Sequence, residues 1–391
     1  MRFCMVTTFY PPYAFGGDGV YVQAMARALS GRGHDVDVVH CVDAYRLGSG
    51  EPDAECDEPG IRLHRLRSGL GFLSPLLTQQ TGRPILKARE LAAVLQQGFD
   101  VIHYHNISLV GGPAVLGMGD ASLRLYTPHD YWPLCTTHVF WKNRNRACDG
   151  PRCVRCALRS GVPPQLWRAT NLMRRSFESV DRILAPSRHC ARRYTTAALG
   201  PAVDLLPLFA DVSAPAVAEP GGYFLYVGRL EPLKGVPDLL ELFRGLDAPL
   251  WLAGDGSLAG RAASTPNVRV LGRVERDALG ALIGGATAVL APSRVPETFG
   301  LCVVEALACG TPVLVSDRGA LPELVEDTGA GIVCRGAAEF RTAVLRLRDD
   351  PALRDRLGAR GRQAFEREFT LDTHIGRYLA LVEGLLPRHA A

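Results

Sequence analysis

Short apolar runs of β type alternate with helical stretches along this chain, and the alternation occurs twice. Residues 2–8 read as a strand, PPYAFGGDG (11–19) as a loop and VYVQAMARAL (20–29) as a helix. GRGH (31–34) is a glycine-marked stop, and DVDVVHCV (35–42) reads as the next strand. Further β-type runs are VIHYH (101–105), LRLYT (123–127), RILAPS (182–187) and VDLLPLF (203–209). The segment DVSAPAVAEPGG (211–222) is small, Pro-rich and aperiodic, and marks a linker. The pattern then restarts with YFLYVG (223–228), a helix from about Pro237, LWLAGDG (250–256), VRVLG (268–272), AVLAPS (288–293) and PVLVSD (312–317). Strands alternating with helices predict parallel sheets, and two such sets predict an α/β chain of two doubly wound domains. The expected boundaries are 1–210, a linker at 211–222, 223–370, and a C-terminal helix at 371–391 crossing back to the first domain.

A length of 391 residues fits two cores better than one. With 47% hydrophobic and 21% charged residues the chain is globular, and a net charge of +4 gives no argument for a nucleic-acid partner. No stretch reaches the ~18 apolar residues of a membrane span. The opening MRFCMVTTFYPPY reads as a core strand rather than a signal peptide, so a cytoplasmic location, where disulfides are disfavoured, is expected. Only three of the 44 basic residues are lysines, Lys87, Lys142 and Lys234.

Ligands of doubly wound sheets bind beyond the carboxyl ends of the strands, so the loops there, lining a cleft between the domains, are the place to look. After the run YFLYV come Gly228, Arg229 and, in EPLKG, Lys234; after AVLA come Pro292, Ser293, Arg294 and Glu297. A helix is expected from about Phe299-Gly300-Leu301, and its free N–H groups and positive dipole end favour an anion. Gly300 allows close backbone approach to a phosphate. Arg229 and Lys234 add two cations, completing a diphosphate site. Glu305, about two turns from Glu297, is placed to accept bonds from a ribose diol. Glu297 is placed to accept bonds from hydroxyls beyond the phosphates. A lone glutamate usually caps a helix or faces water, but Glu305 is set in CVVEALAC, where burial without a ligand is costly.

GRLEPLKG, LAGDG, PSRVPETFGLCVVEALACGTPV and FYPPYAFGGDGVYVQAMARAL resemble, over nearly the whole chain, the family-4 retaining glycosyltransferases of GT-B fold. The resemblance implies two Rossmann-like domains facing each other across a cleft, with a nucleoside-diphosphate sugar bound mainly by the second and the acceptor side formed by the first. It implies that Arg229 and Lys234 hold the diphosphate, that Glu297 with the Phe299-Gly300-Leu301 backbone holds the donor sugar, and that Glu305 holds the ribose. Gly16 and Gly17 match a glycine loop that approaches the donor phosphate. His129 matches a histidine near the reacting sugar carbon. His105 and Asn106 also end a strand and are candidates for the acceptor side. Arg229 and Lys234 would stabilise the departing diphosphate while the sugar carbon becomes oxocarbenium-like. The family retains anomeric configuration by same-face attack without an agreed protein nucleophile, so no general base is assigned. Asp35-Val36-Asp37 spells a metal-binding Asp-x-Asp but opens a buried strand; it is read as incidental, and no catalytic metal is expected. The acceptor is left open among sugar chains, lipid-linked intermediates and small metabolites. An epimerase or hydrolase of the same fold, or a nucleotide-sugar-binding protein without turnover, are the alternatives.

Two segments fall outside that pattern. Cys135, Cys148, Cys153 and Cys156 lie within 22 residues and end in C-x4-C-x2-C, which resembles a metal knuckle in an insert at 135–156. One structural zinc ion is the expected occupant, shaping the wall beside His129, with an iron–sulfur cluster, two disulfides or free thiols as alternatives. A zinc-binding nucleic-acid module is a rival reading of this segment but does not explain the rest of the chain. The stretch PPQLWRATNLMRRSF (163–177) reads as a basic amphipathic helix. It is expected to cover the first domain's core rather than to lie peripherally on an anionic membrane.

Overall fold

The computed structural model describes residues 1–48, 57–143, 145–150, 152–212 and 221–386. Most of the expected linker, 213–220, lies outside these residues. The chain divides into two units. One comprises Met1–Asn143, Cys148–Leu206 and the chain from His374; the other is centred on Pro207–Thr373.

The first unit is built on seven strands: β1 (Arg2–Val6), β2 (Asp35–Cys41), β3 (Ile61–Leu66), β4 (Phe99–Tyr104), β5 (Ala121–Tyr126), β6 (Arg182–Ala185) and β7 (Ala202–Leu205). Their order is β3-β2-β1-β4-β5-β6-β7, and every neighbouring pair is parallel. The second unit has β8 (Phe224–Val227), β9 (Leu250–Ala253), β10 (Val268–Gly272), β11 (Ala288–Ala291), β12 (Val313–Ser316) and β13 (Gly331–Cys334). They run in the order β10-β9-β8-β11-β12-β13, again all parallel. Parallel sheets are covered on both faces, so their central strands read as continuous apolar runs. FCMV in β1, AVLA in β11 and VLVS in β12 are accordingly wholly buried. In each sheet the order reverses beside the first strand, between β1 and β4 and between β8 and β11. Such switch points open a crevice at the strands' carboxyl ends.

The helices that matter to the sites are α1 (Gly17–Ser30), α2 (Val236–Arg244), α3 (Leu301–Ala308), α4 (Pro351–Glu368) and α5 (Leu371–Leu385). From His374 on, α5 belongs to the first unit. There its Tyr378 ring stacks on His103 at 5.4 Å.

Two readings change. Strand β3 was not expected, because IRLHRL carries charges; as an edge strand it pairs on one side only and leaves its middle residues, Arg62 to Arg65, exposed or half exposed between buried ends. Its Arg62 and His64 both bind Asp37 on β2, each at 2.8 Å. Asp37 is fully buried, so this half of the Asp-x-Asp spelling is a structural ion pair. Residues 163–177 are not one helix. A 3₁₀ turn covers Leu166–Ala169, and a separate short helix covers Leu172–Phe177. Thr170 makes the break: its Oγ1 donates to the Trp167 carbonyl at 2.6 Å and accepts from Leu172 N–H at 3.2 Å. Arg168 turns inward between Trp132 and Trp167, so no continuous basic face remains. Among the described residues no helix is long and apolar enough to cross a membrane.

Two helical glycines make opposite predictions. A Cβ on Gly358 of α4 would stand 2.1 Å from the Gly310 carbonyl oxygen, whereas one on Gly376 of α5 meets nothing within 4 Å. Gly376→Ala should therefore raise stability by up to ~1 kcal/mol through helix propensity. Gly358→Ala should lower it by about 1–3 kcal/mol by overpacking. Thermal melts of the two variants give shifts of opposite sign.

Candidate active site

The switch point of the second sheet sets two loops side by side. The loop after β8 runs through Gly228 and Arg229 to a 3₁₀ turn at Pro232–Lys234, and Gly235 caps α2. The loop after β11 runs from Pro292 to Gly300, the residue preceding α3. Gly235 lies so close to this second loop that a Cβ would sit 2.0 Å from the Pro292 carbonyl oxygen, and its φ of +79° also excludes most side chains. Arg294 N–H donates to the Leu233 carbonyl at 2.9 Å, and the Arg294 guanidinium pairs with Asp238 of α2.

This packing brings Lys234 and Glu297 together. Lys234 Nζ donates to both carboxylate oxygens, at 2.8 and 3.0 Å, with about a fifth of each side chain in contact with solvent. Burial raises the Glu297 carboxyl, but attraction and hydrogen bonding from Lys234, with help from Ser293 and Arg229, outweigh it and hold the group below the ordinary carboxylate range. Arg229 itself is exposed, and no carboxylate among the described residues pairs with it. Phe299 is buried and packs on Phe369 at 6.1 Å, while Gly300, at φ +124°, turns the chain into α3. Leu301 opens that helix, so its first-turn N–H groups face the same crevice end of the sheet as Lys234 and Glu297. Glu305 is half-buried farther along α3. Burial raises its carboxyl above the ordinary value, opposed only by Arg276, and among the described residues nothing donates a hydrogen bond to it. The arrangement thus offers an exposed cation, a paired cation, a helix N-terminus and an unengaged carboxylate in one crevice.

The first unit has a matching switch point with different chemistry. Gly16 is the extended N-cap of α1, and Gly17 is its first residue. Asn106, past β4, donates from Nδ2 to Asp18 of α1 at 3.1 Å, which stitches the loops after β1 and β4 together. His129, past β5, stands with Nε2 3.0 Å from Nδ1 of His105, so one ring donates and the other accepts. His105 is fully buried behind His129. It touches the His129 ring, which is half exposed. Tyr21 covers His129 edge-on at 5.1 Å and meets His374 Nε2 through its hydroxyl at 2.7 Å. His103, two residues before His105 on the same sheet face, completes the cluster and meets Thr127 Oγ1 at 2.8 Å. Burial pushes the His103 and His105 rings well below the ordinary imidazole value; it also lowers His129, against the opposing pull of Asp18 and Asp130. Asp18, Tyr21, His103 and His374 were not singled out from sequence. The i, i+2 spacing of His103 and His105 on a strand was the signal available.

The four expected metal cysteines lie together around one small cavity in the first unit. Among the described residues no three His, Cys, Asp or Glu side chains stand grouped closely enough to hold a metal ion as they are.

Known proteins align with both units. Residues 16–208 match the model "Glycosyl transferase 4-like domain", and residues 212–364 match "Glycosyl transferases group 1". The glycogen synthase of Mycobacterium tuberculosis is 28% identical over 95% of this chain and 92% of its own length. Sucrose-phosphate synthase from Thermosynechococcus elongatus superposes with a TM-score of 0.75 at 20% identity, covering 98% of both chains. Anabaena HepE, solved in complex with UDP-glucose, superposes with a TM-score of 0.66 at 16% identity over 98% of this chain and all of that one.

The depressed histidines predict an acid-side loss of stability. Their folded-state values lie below the ~6.5 of an unfolded chain, so the unfolded state takes up protons first as pH falls. Stability should be fully present above about pH 6.5 and decline below it. Melts between about pH 7.5 and 5 should show that decline, and His103→Gln should flatten its slope whatever it does to the midpoint at neutral pH.

Proposed function

We propose that this chain, a glycosyltransferase of the GT-B fold with family-4-like halves, moves a hexosyl group from a nucleoside-diphosphate sugar to an acceptor hydroxyl with retention of configuration. The observation that carries this reading is the Lys234–Glu297 pair at the N-terminal end of α3, with the unengaged Glu305 farther along the same helix. Arg229, Lys234 and the free N–H groups of α3 bind the diphosphate, and Gly300 lets the backbone approach it. Glu297, kept ionised by Lys234, accepts bonds from hydroxyls of the donor sugar. Glu305 accepts two bonds from the ribose diol. His129, a neutral imidazole, hydrogen-bonds a sugar hydroxyl, and His105 sets its tautomer. UDP-glucose is the donor to try first, since the Anabaena relative binds it.

In the reaction the bond from the anomeric carbon to the phosphate oxygen breaks as the acceptor oxygen bonds to the same face. The acceptor proton passes to the leaving diphosphate. Negative charge grows on that diphosphate, and Arg229, Lys234 and the helix end are placed to stabilise it most when it is greatest. No protein nucleophile is required, and the acceptor class, sugar chain, lipid-linked intermediate or small metabolite, is set by which hydroxyl compound restores turnover.

Incubation with labelled nucleotide sugars and a panel of acceptors tests this. Nucleotide release that depends on acceptor, with a product of unchanged anomeric configuration by NMR, supports it. Release independent of acceptor identifies a hydrolase, and binding without release under every acceptor defeats transfer. Among variants, Glu305→Ala should weaken free nucleotide binding about tenfold or more, since a bond to a charged acceptor is lost. Glu297→Gln should instead lower kcat by about 10- to 1,000-fold with little change in nucleotide affinity. Equal nucleotide affinity in wild type and Glu305→Ala would remove the ribose assignment.

A further inference from the structure

Four cysteines outside the donor and histidine sites surround one small space. Cys135 and Cys148 from two loops, with Cys153 and Cys156 from one short helix (Cys153–Arg159), line a cavity of about 20 Å³, room for a single water-sized body. All four are free thiols, and Cys153 lies within electrostatic reach of the other three. The backbone around them is already closed. Cys135 N–H donates to the Tyr131 carbonyl at 2.8 Å, Cys148 N–H to the Phe140 carbonyl at 2.7 Å, and Cys156 N–H to the Arg152 carbonyl at 3.0 Å. Asn143 N–H points at Cys156 Sγ, 3.4 Å away. Such N–H donors to sulfur stabilise a thiolate over a thiol.

Cations stand around the cavity, and one of them, Lys142, is paired with Asp149. Lys142 and Arg152 line the cavity. Arg168, clamped between Trp132 and Trp167, lies within electrostatic reach of Cys135 and Cys153 and, with smaller effect, of Asp130. Its guanidinium donates only to neutral acceptors among the described residues: the Gln165 side chain and the carbonyls of Pro133 and Trp132. A half-buried guanidinium without an anionic partner is costly, and a negative centre in the cavity would balance it.

We propose that Cys135, Cys148, Cys153 and Cys156 bind one structural zinc ion as thiolates. Four thiolates around zinc form a closed tetrahedral shell of net charge about −2, which leaves no open position for catalysis. The thiol protons pass to solvent on binding, and the sulfurs turn about χ1 into the space they already line. A disulfide pair is neutral and leaves Arg168 unbalanced, and an iron–sulfur cluster is too large for a one-ion cavity. The consequence reaches the histidine site through the same loop. His138 N–H donates to the Cys135 carbonyl at 3.1 Å, and the His138 ring holds Asp130, the neighbour of His129, at 2.8 Å. Zinc would therefore fix a positioning contact for His129. This proposal is independent of the sugar-transfer reading.

The test uses the full chain, expressed with added zinc and purified under reductant without oxygen. Elemental analysis should find about one zinc per chain. The metal should be lost in Cys148→Ser and Cys153→Ser and kept in Cys309→Ala, whose thiol lies in the second unit. Cobalt exchanged into the wild type should show the thiolate charge-transfer band and intense visible bands of a tetrahedral sulfur site, which keeps the claim testable if the serine variants do not fold. Wild-type protein that stays metal-free in excess zinc overturns the proposal. So does a mass spectrum with disulfides among these four residues, or brown protein carrying iron and sulfide.

Discussion

Backbone contact at the carboxyl ends of β8 and β11 is the constraint on which the second unit's site depends. The two strands are neighbours in the sheet although the chain between them contains β9, β10 and three crossovers. Their loops can lie against each other only because Gly235 has no side chain to strike Pro292. That approach puts Lys234 within 2.8 Å of Glu297, and the ion pair then fixes both groups relative to the start of α3. A pair this far withdrawn from water gains from Coulomb attraction more than an exposed one does, which keeps Glu297 ionised despite its burial. It also divides the cationic work. Lys234 already has an anionic partner, so Arg229 is the cation whose charge is unmatched in the crevice.

The first unit solves the same topological problem with an amide-to-carboxylate hydrogen bond and a set of imidazoles. Asp18 and Asn106 join the loops at its switch point, and a run of histidines fills the space between the sheet, α1 and α5. Each ring there lies close to another that would have to share its charge, and burial already disfavours the charged form. The cluster therefore stays neutral, and a neutral imidazole at His129 can both donate and accept. Two switch points in one chain thus differ in character, one built on a lysine–glutamate ion pair and one on an Asn106–Asp18 hydrogen bond and buried imidazoles. Fold alone sets where they lie; side chains set what they do.

Central strands were legible in the sequence because burial on both faces writes them as unbroken apolar runs, as in AVLA and VLVS. Edge strand β3 was not, because pairing on one side lets Arg62 and Arg65 stand in a strand. The 163–177 stretch has the spacing of an amphipathic helix, yet a single threonine hydroxyl closes a turn on the Trp167 carbonyl and ends the first piece. Lys234 and Glu297 were legible as neighbours because both lie in short segments just after predicted strands. Tyr21, His103 and His374 were not, because their meeting depends on contacts between residues as much as 353 apart in sequence. No local pattern records that.

The scarcity of lysine has a physical reading once its three positions are seen together. Lys87 is 1% exposed and reaches Cys41 Sγ, Ser74 Oγ and the Leu109 carbonyl. Lys142 is 7% exposed and holds Asp149 and the Gly150 carbonyl. Lys234 holds Glu297. In all three, the ammonium meets two or more acceptor atoms. Arginine's planar fork needs width and a coplanar partner, whereas an ammonium on four methylenes is a compact charge with three rotatable donors. A chain that writes nearly all its surface charge as arginine keeps lysine where only a point charge fits. Two of the three such places are the Glu297 crevice and the cysteine cavity.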